Sequence, residues 1–290
     1  MESTLAPVFI VGVGRSGSSI FHRMLCRHPG VAWLSSLLED APERPSRNRL
    51  LMHALDMPVV GSILSRRVDP GECYRYWDGL FPGFSVPCRD LLAEDVPDDA
   101  RTSIPDALRH AVTTRRARLL VKITGWPRIG FLREIFPDAR FIHIMRDGRP
   151  AAASFLRMDW WWGWRGPSNW RWGELSEEYD AEWRQAGRSF VALAGIQWKI
   201  LMDAMEEAKR ASPSASLFEL KYEDLCRDPV GHFRRAAEFA GLPWNPAFER
   251  AVRAEGLRSG NEKWRRELTT GQQQVLERVL RGHLARYGYE

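Results

Sequence analysis

The chain has 290 residues, enough for a full apolar core, and its 44% hydrophobic and 27% charged content excludes an intrinsically disordered or low-complexity chain. A net charge of +5 suits an anionic ligand, but the basic residues are spread along the chain and make no stripe for nucleic acid. No apolar run approaches the roughly 18 residues that span a bilayer, the start lacks a basic signal region, and the four cysteines form no C-x-x-C pair; the expectation is a cytoplasmic protein with reduced thiols and no metal.

The first element is also the most informative. Val8-Phe9-Ile10-Val11 reads as a buried parallel strand. The turn Gly12-Val13-Gly14-Arg15-Ser16-Gly17-Ser18-Ser19 follows, and Ile20, Phe21, Met24 and Leu25 then recur at helical spacing. Strand, glycine turn and helix in that order form an anion cradle, because glycines admit close approach and the first helical N–H groups favour negative charge. Gly14, Ser16, Gly17, Ser18 and Ser19 supply backbone and hydroxyl donors, and Arg15 supplies a cation that can fork two oxygens. The spacing is that of a nucleotide loop, but Ser18-Ser19 stands where a triphosphatase carries its lysine.

His28-Pro29-Gly30 ends the helix, and Val31 to Leu34 reads as a short strand. A loop with Glu39, Asp40 and Glu43 comes next. Residues 47–56 and 104–116 read as helical. The Gly/Pro-rich stretch between them, with Trp77, Phe81 and Phe84, reads as an insertion over the substrate side; the insertion as a whole spans about residues 40–115. Arg118 to Thr124 is another buried strand, followed by a helix over 128–136, a strand over 141–145, and Arg146-Asp147-Gly148-Arg149-Pro150, where Pro150 opens a helix that carries Ser154. Six of the thirteen tryptophans fall in 158–173. That stretch reads either as filler beneath a loop or as an acceptor-binding lid in which Trp161 and Trp164 present flat faces. A helix or helix pair over 176–209, a strand over 216–221, a helix over 229–240 and a final helix over 271–285 complete a chain with no clean domain boundary.

Strands alternating with helices predict an α/β fold with a central, mostly parallel sheet flanked by helices, and ligands of such sheets sit at the carboxyl ends of the strands. Arg15, Lys122 and Arg146 all stand at such ends. Only five of the 42 basic residues are lysines, so a strand-end lysine carries more information than an arginine. The competing readings are a snorkelling Lys122 and an Arg146 paired with Asp147.

Taken together these motifs resemble the sulfotransferases that use 3′-phosphoadenosine 5′-phosphosulfate (PAPS), in particular the protein-tyrosine sulfotransferases and related bacterial proteins. The likeness rests on Gly12 to Ser19, on the His-Pro after the first helix, on Lys122, and on Arg146-Asp147-Gly148-Arg149 with Ser154. Looser matches are Tyr222-Glu223-Asp224-Leu225 and Lys263-Trp264. The resemblance implies a single P-loop-like domain over 1–290, PAPS as co-substrate without a metal, and a hydroxyl-bearing acceptor: a small molecule, glycan or natural product near the tryptophans. It implies that the Gly14–Ser19 loop holds the 5′-phosphosulfate, that Arg146 and Ser154, with Arg157 as a further contact, serve the 3′-phosphate, that Tyr222 and Lys263 also bind the co-substrate, and that Arg15 and Lys122 stabilise the transferring group. The chain departs from the family in the base. Thr124 stands where cytosolic members carry a histidine, and Ser35 and Ser36 where tyrosylprotein members carry a glutamate. Glu39 is therefore the expected base, with Asp40, His53 and His110 as alternatives and His143 as a core histidine. The rival functions are a small-molecule kinase and a nucleotide-binding member without turnover.

Overall fold

The computed structural model describes residues 5–65 and 67–289, so the amino-terminal residues read for a signal lie outside it. Five strands form one parallel sheet: β1 (Val8–Val11), β2 (Val31–Trp33), β3 (Arg118–Lys122), β4 (Arg140–Met145) and β5 (Leu217–Lys221), in the order β2-β3-β1-β4-β5. All four residues of β1 are fully buried, as a strand with both faces covered requires. It pairs with β3 on one side (Ile10 beside Lys122) and with β4 on the other (Val11 beside His143). The chain leaves β1 toward β2, and later crosses back so that β4 and β5 lie on the opposite side. β1 is thus the point where the strand order reverses, and its carboxyl end is where a ligand crevice forms.

β3 is shorter than expected for a physical reason. Ile123 N still donates to Ile10 O at 2.8 Å and Gly125 N to Gly12 O at 3.1 Å. Thr124 N instead donates to the Glu72 carboxylate at 3.0 Å, so the chain leaves the ladder at the site.

Two large cores and one small cluster around Ala192, Ile196 and Val279 build the molecule. One large core surrounds the sheet; the other joins the helices Gly148–Phe155, Phe190–Arg210 and Thr270–Arg286. The 176–209 stretch is two helices, Glu177–Gln185 and Phe190–Arg210, each capped by a serine side chain (Ser176, Ser189) that accepts from the first turn. The middle of the chain is more ordered than its Gly/Pro content suggests. Helices form at Ser46–Ala54, Pro58–Leu64, Tyr74–Leu80 and Ala100–Arg109. Trp77 and Phe84 do not cover a substrate: both are fully buried, stack at 4.6 Å, and join Phe131 in the core. Edge strand β2 is covered by the Ser46–Ala54 helix, whose buried Asn48 donates to Trp33 O at 2.9 Å and accepts from Ser35 N at 3.0 Å. Among the described residues no helix is long and apolar enough to cross a membrane.

Candidate active site

The loop after β1 makes its turn through two glycines whose backbone no other residue suits. Gly12 has φ +139, and a Cβ there would lie 2.6 Å from Ile144 O on β4. Gly17 has φ +85, and a Cβ there would lie 2.2 Å from Tyr222 Cδ2. Arg15 itself sits at φ +69, a conformation an arginine adopts only where its surroundings hold it. The holding contacts are Arg15 Nε to Ser154 Oγ at 2.9 Å and Arg146 Nη1 to Arg15 O at 3.0 Å. Gly17→Ala is expected to lower the melting midpoint by roughly 2–8 °C, the effect of a strained φ plus a displaced ring. Adding Tyr222→Ala should recover only the steric part; no recovery at all would show that the ring collision is not its source.

Arg146 reaches the same place from the end of β4. Asp147 does not pair with it: Asp147 accepts from Arg149 and caps the Gly148–Phe155 helix through Arg149 N at 2.9 Å. Arg146 Nε donates to Asn261 Oδ1 at 3.0 Å, Asn261 Nδ2 donates to Glu223 Oε1 at 2.6 Å, and the guanidinium lies 4.8 Å from the Tyr222 ring centre. The Tyr222 ring is therefore packed between Gly17 and Arg146, and burial pushes its phenol up to about 12. Arg15, Arg146 and Arg157 lie near enough that burial and then the charges of Arg157 and Arg146 lower the Arg15 pKa. Arg157 is also ion-paired with Glu267 at 2.5 Å. Ser16 Oγ is buried without a hydrogen-bond partner. Crowded guanidiniums beside a buried hydroxyl and a helix start are the properties of a site that binds an anion. Lys263 is exposed at the start of the Lys263–Glu267 helix, two residues from Asn261, and makes no hydrogen bond or ion pair with this cluster among the described residues.

Lys122 does not snorkel. Its side chain is 10% exposed, and its Nζ donates to Ser19 Oγ at 2.7 Å and lies 3.8 Å from Glu72 Oε1. Behind it, His22 is held neutral, pushed down to about 3 by burial and then by the Lys122 charge. Glu72 Oε1 also accepts from Thr124 N and, at 2.5 Å, from Thr124 Oγ1, with Tyr74 OH at 3.5 Å. No hydrogen bond among the described residues engages Oε2. These groups line a cavity of about 280 Å³ together with Gly14, Arg15, Trp126 and Trp172.

The structure does not bring Glu39 to this cavity. Its Oε2 accepts from Arg75 N at 3.2 Å, at the opening turn of the Tyr74–Leu80 helix, and the acid beside Lys122 is Glu72. Asp40, His53 and His110 are exposed and outside the cavity as well. His143 is fully buried, bonded through Nδ1 to Glu219 at 2.9 Å, while its Nε2 has no partner. The tryptophan-rich stretch divides. Trp161 is a core residue that donates to Gln197 Oε1 at 2.6 Å, and Trp164 is exposed beneath Arg165; Trp160 and Trp172 are the two that line the cavity. Glu72, Tyr74, Gln197 and Asn261 carry no motif. Nothing in the sequence around Glu72 pointed to it.

An all-parallel sheet with a glycine loop and helix start at its strand-reversal point defines a P-loop-like α/β protein. A family model described as "Sulfotransferase family" matches residues 7–246, and the chain belongs to that family. The omega-hydroxy-beta-dihydromenaquinone-9 sulfotransferases Stf3 of Mycobacterium bovis and Mycobacterium tuberculosis are each 25% identical over 271 residues, covering 81% of this chain. The chain spans 63% of the length of these curated relatives. Among solved structures, sulfotransferase STF9 from Mycobacterium avium superposes with a TM-score of 0.60 at 17% identity, covering 100% of this chain and 79% of that one. The sulfotransferase domain from the curacin biosynthetic pathway gives 0.52 at 13% identity, covering 99% of each chain. At these identities the structural likeness is one of fold.

Proposed function

We propose that this protein transfers a sulfuryl group from PAPS to a hydroxyl of an acceptor bound in the cavity, with Glu72 as the base. The observation that carries the reading is the meeting of Lys122 and Glu72 at the mouth of the anion loop. Two anion sites fit a donor with two anionic ends. The Gly14–Ser19 loop suits the 5′-phosphosulfate, and Arg146 with Ser154, bordered by Tyr222, suits the 3′-phosphate. The arginine bridge to Ser154 joins the two.

In-line sulfuryl transfer leaves charge on the oxygen that bridges sulfur and phosphorus, by analogy with phosphoryl transfer. Lys122 and Arg15 are placed to stabilise that charge. The acceptor hydroxyl must lose its proton as it attacks, and Glu72 takes it. Thr124 supplies no base; through its N–H and hydroxyl it orients the glutamate instead, so it acts as a positioning residue. The kinase reading needs a lysine at the loop's end, where this chain has Ser18 and brings its lysine from β3.

A thermal-shift titration tests the donor assignment. Adenosine 3′,5′-bisphosphate at about 100 times its Kd stabilises by about 2.7 kcal/mol, which for a chain of this size raises the midpoint by roughly 5–10 °C. AMP, which lacks the second anion, should give a smaller shift. A shift with Mg-ATP and none with the bisphosphate would sink the reading.

A further inference from the structure

We propose that the acceptor carries, besides its reacting hydroxyl, an anionic group such as a carboxylate, and that Arg171 and the Gln197 amide bind it. This rests on the transfer reading above and names the substrate class of the same cavity.

The argument starts from charge. Four cations line the cavity, Arg15, Lys122, Arg128 and Arg171, against one carboxylate, Glu72. Three of the cations are engaged. Arg15 is bonded to Ser154, Lys122 to Ser19 and Glu72, and buried Arg128 to the carbonyls of Phe84 and Trp126. Arg171 makes no hydrogen bond or ion pair among the described residues; its guanidinium lies 5.6 Å from the Trp160 ring centre. The backbone that carries it is held on both sides. Trp170 Nε1 donates to Gly173 O at 2.7 Å, and Trp172 packs on Trp126 at 6.3 Å.

A second observation points the same way. Gln197 is fully buried and lines the cavity. The indole N–H of Trp161 can only donate, so the bond at 2.6 Å fixes the amide oxygen toward Trp161. The amide nitrogen is left buried with no partner, and so is Trp126 Nε1 in the same wall. Buried donors without acceptors are costly in a folded protein. A ligand that brings oxygen lone pairs and negative charge satisfies them, together with the one unengaged guanidinium. Trp160, Trp172 and Phe155 line the same cavity, and their flat faces suit a ring that joins the hydroxyl to the anion.

The test uses matched acceptors: phenols, benzylic alcohols and cyclohexanols, each with and without a carboxylate, assayed with PAPS on the full chain. The ratio of kcat/KM for the anionic member to that for its neutral twin is expected to exceed one. It should fall about tenfold to hundredfold in Arg171→Gln, the loss typical of a charge-assisted hydrogen bond. Arg171→Lys should retain part of it. Affinity for adenosine 3′,5′-bisphosphate should not follow the ratio. An unchanged ratio overturns the proposal, as does a loss of bisphosphate affinity in Arg171→Gln, which would assign Arg171 to the donor. Turnover confined to neutral acceptors also overturns it. Absence of bisphosphate binding in the wild type is the separate result that removes the transfer reading itself.

Discussion

Replacing Glu72 with Gln is expected to lower kcat by about 10²–10⁴-fold, the usual contribution of a positioned general base, and to leave bisphosphate affinity nearly intact. Glutamine keeps the shape of the side chain and can still accept from Thr124, so the change removes the proton acceptor rather than the fold. Glu39→Gln, altered at a carboxylate outside the cavity that accepts from Arg75 N, should change kcat far less. If Glu39→Gln abolished turnover and Glu72→Gln did not, the base assignment would be reversed.

Lys122→Met carries the second large effect. The side chain is buried at the end of β3 and bonded to Ser19 at the start of the Ser18–Leu25 helix, so its charge is held in place before any ligand arrives. A donor preorganised in this way accelerates by stabilising charge that develops only in the transition state; its removal costs about 10²–10³ in kcat. Methionine fills the same space without the charge. The informative comparison is kcat against bisphosphate affinity. A fall in kcat with binding preserved marks a group that acts on the transition state, whereas an equal fall in both marks one that only holds the donor.

The glycine loop and the cations at the strand ends were legible in the sequence because each lies on a local pattern. β1, the glycine turn and the first helix are contiguous, and the strand-end positions of Lys122 and Arg146 follow from apolar runs that stop at a basic residue. The parallel character of the sheet follows from the alternation of strand and helix, whereas the order of its strands is set by packing. The rest of the cavity was not legible. Glu72 meets Lys122 across fifty positions of chain through packing that has no period. The segment that carries it is tied to the end of β2 by backbone bonds, Ser36 N to Asp69 O at 3.2 Å and Gly71 N to Leu34 O at 2.9 Å. Nothing in the residues 35–71 announces that pairing. The tryptophans misled for a related reason: Trp161 and Trp164 are indistinguishable by type from Trp160 and Trp172, and only tertiary packing decides which of them face the cavity.

The cavity is assembled from two populations of side chains. Gly14, Arg15, Ser18, Ser19 and Lys122 come from the sheet and from the turn and helix start beside it. Glu72 and Tyr74, Ser85 to Pro87, and Trp160, Arg171 and Trp172 come from stretches that hang on that frame. This division makes the molecule evolvable in one direction. Mutations in the hung stretches can reshape the wall of the cavity while the glycine loop and the strand-end cations are inherited unchanged, because a rigid scaffold tolerates variation in the loops it positions. Exchange of such stretches between homologues is accordingly the natural route to a new cavity on this frame.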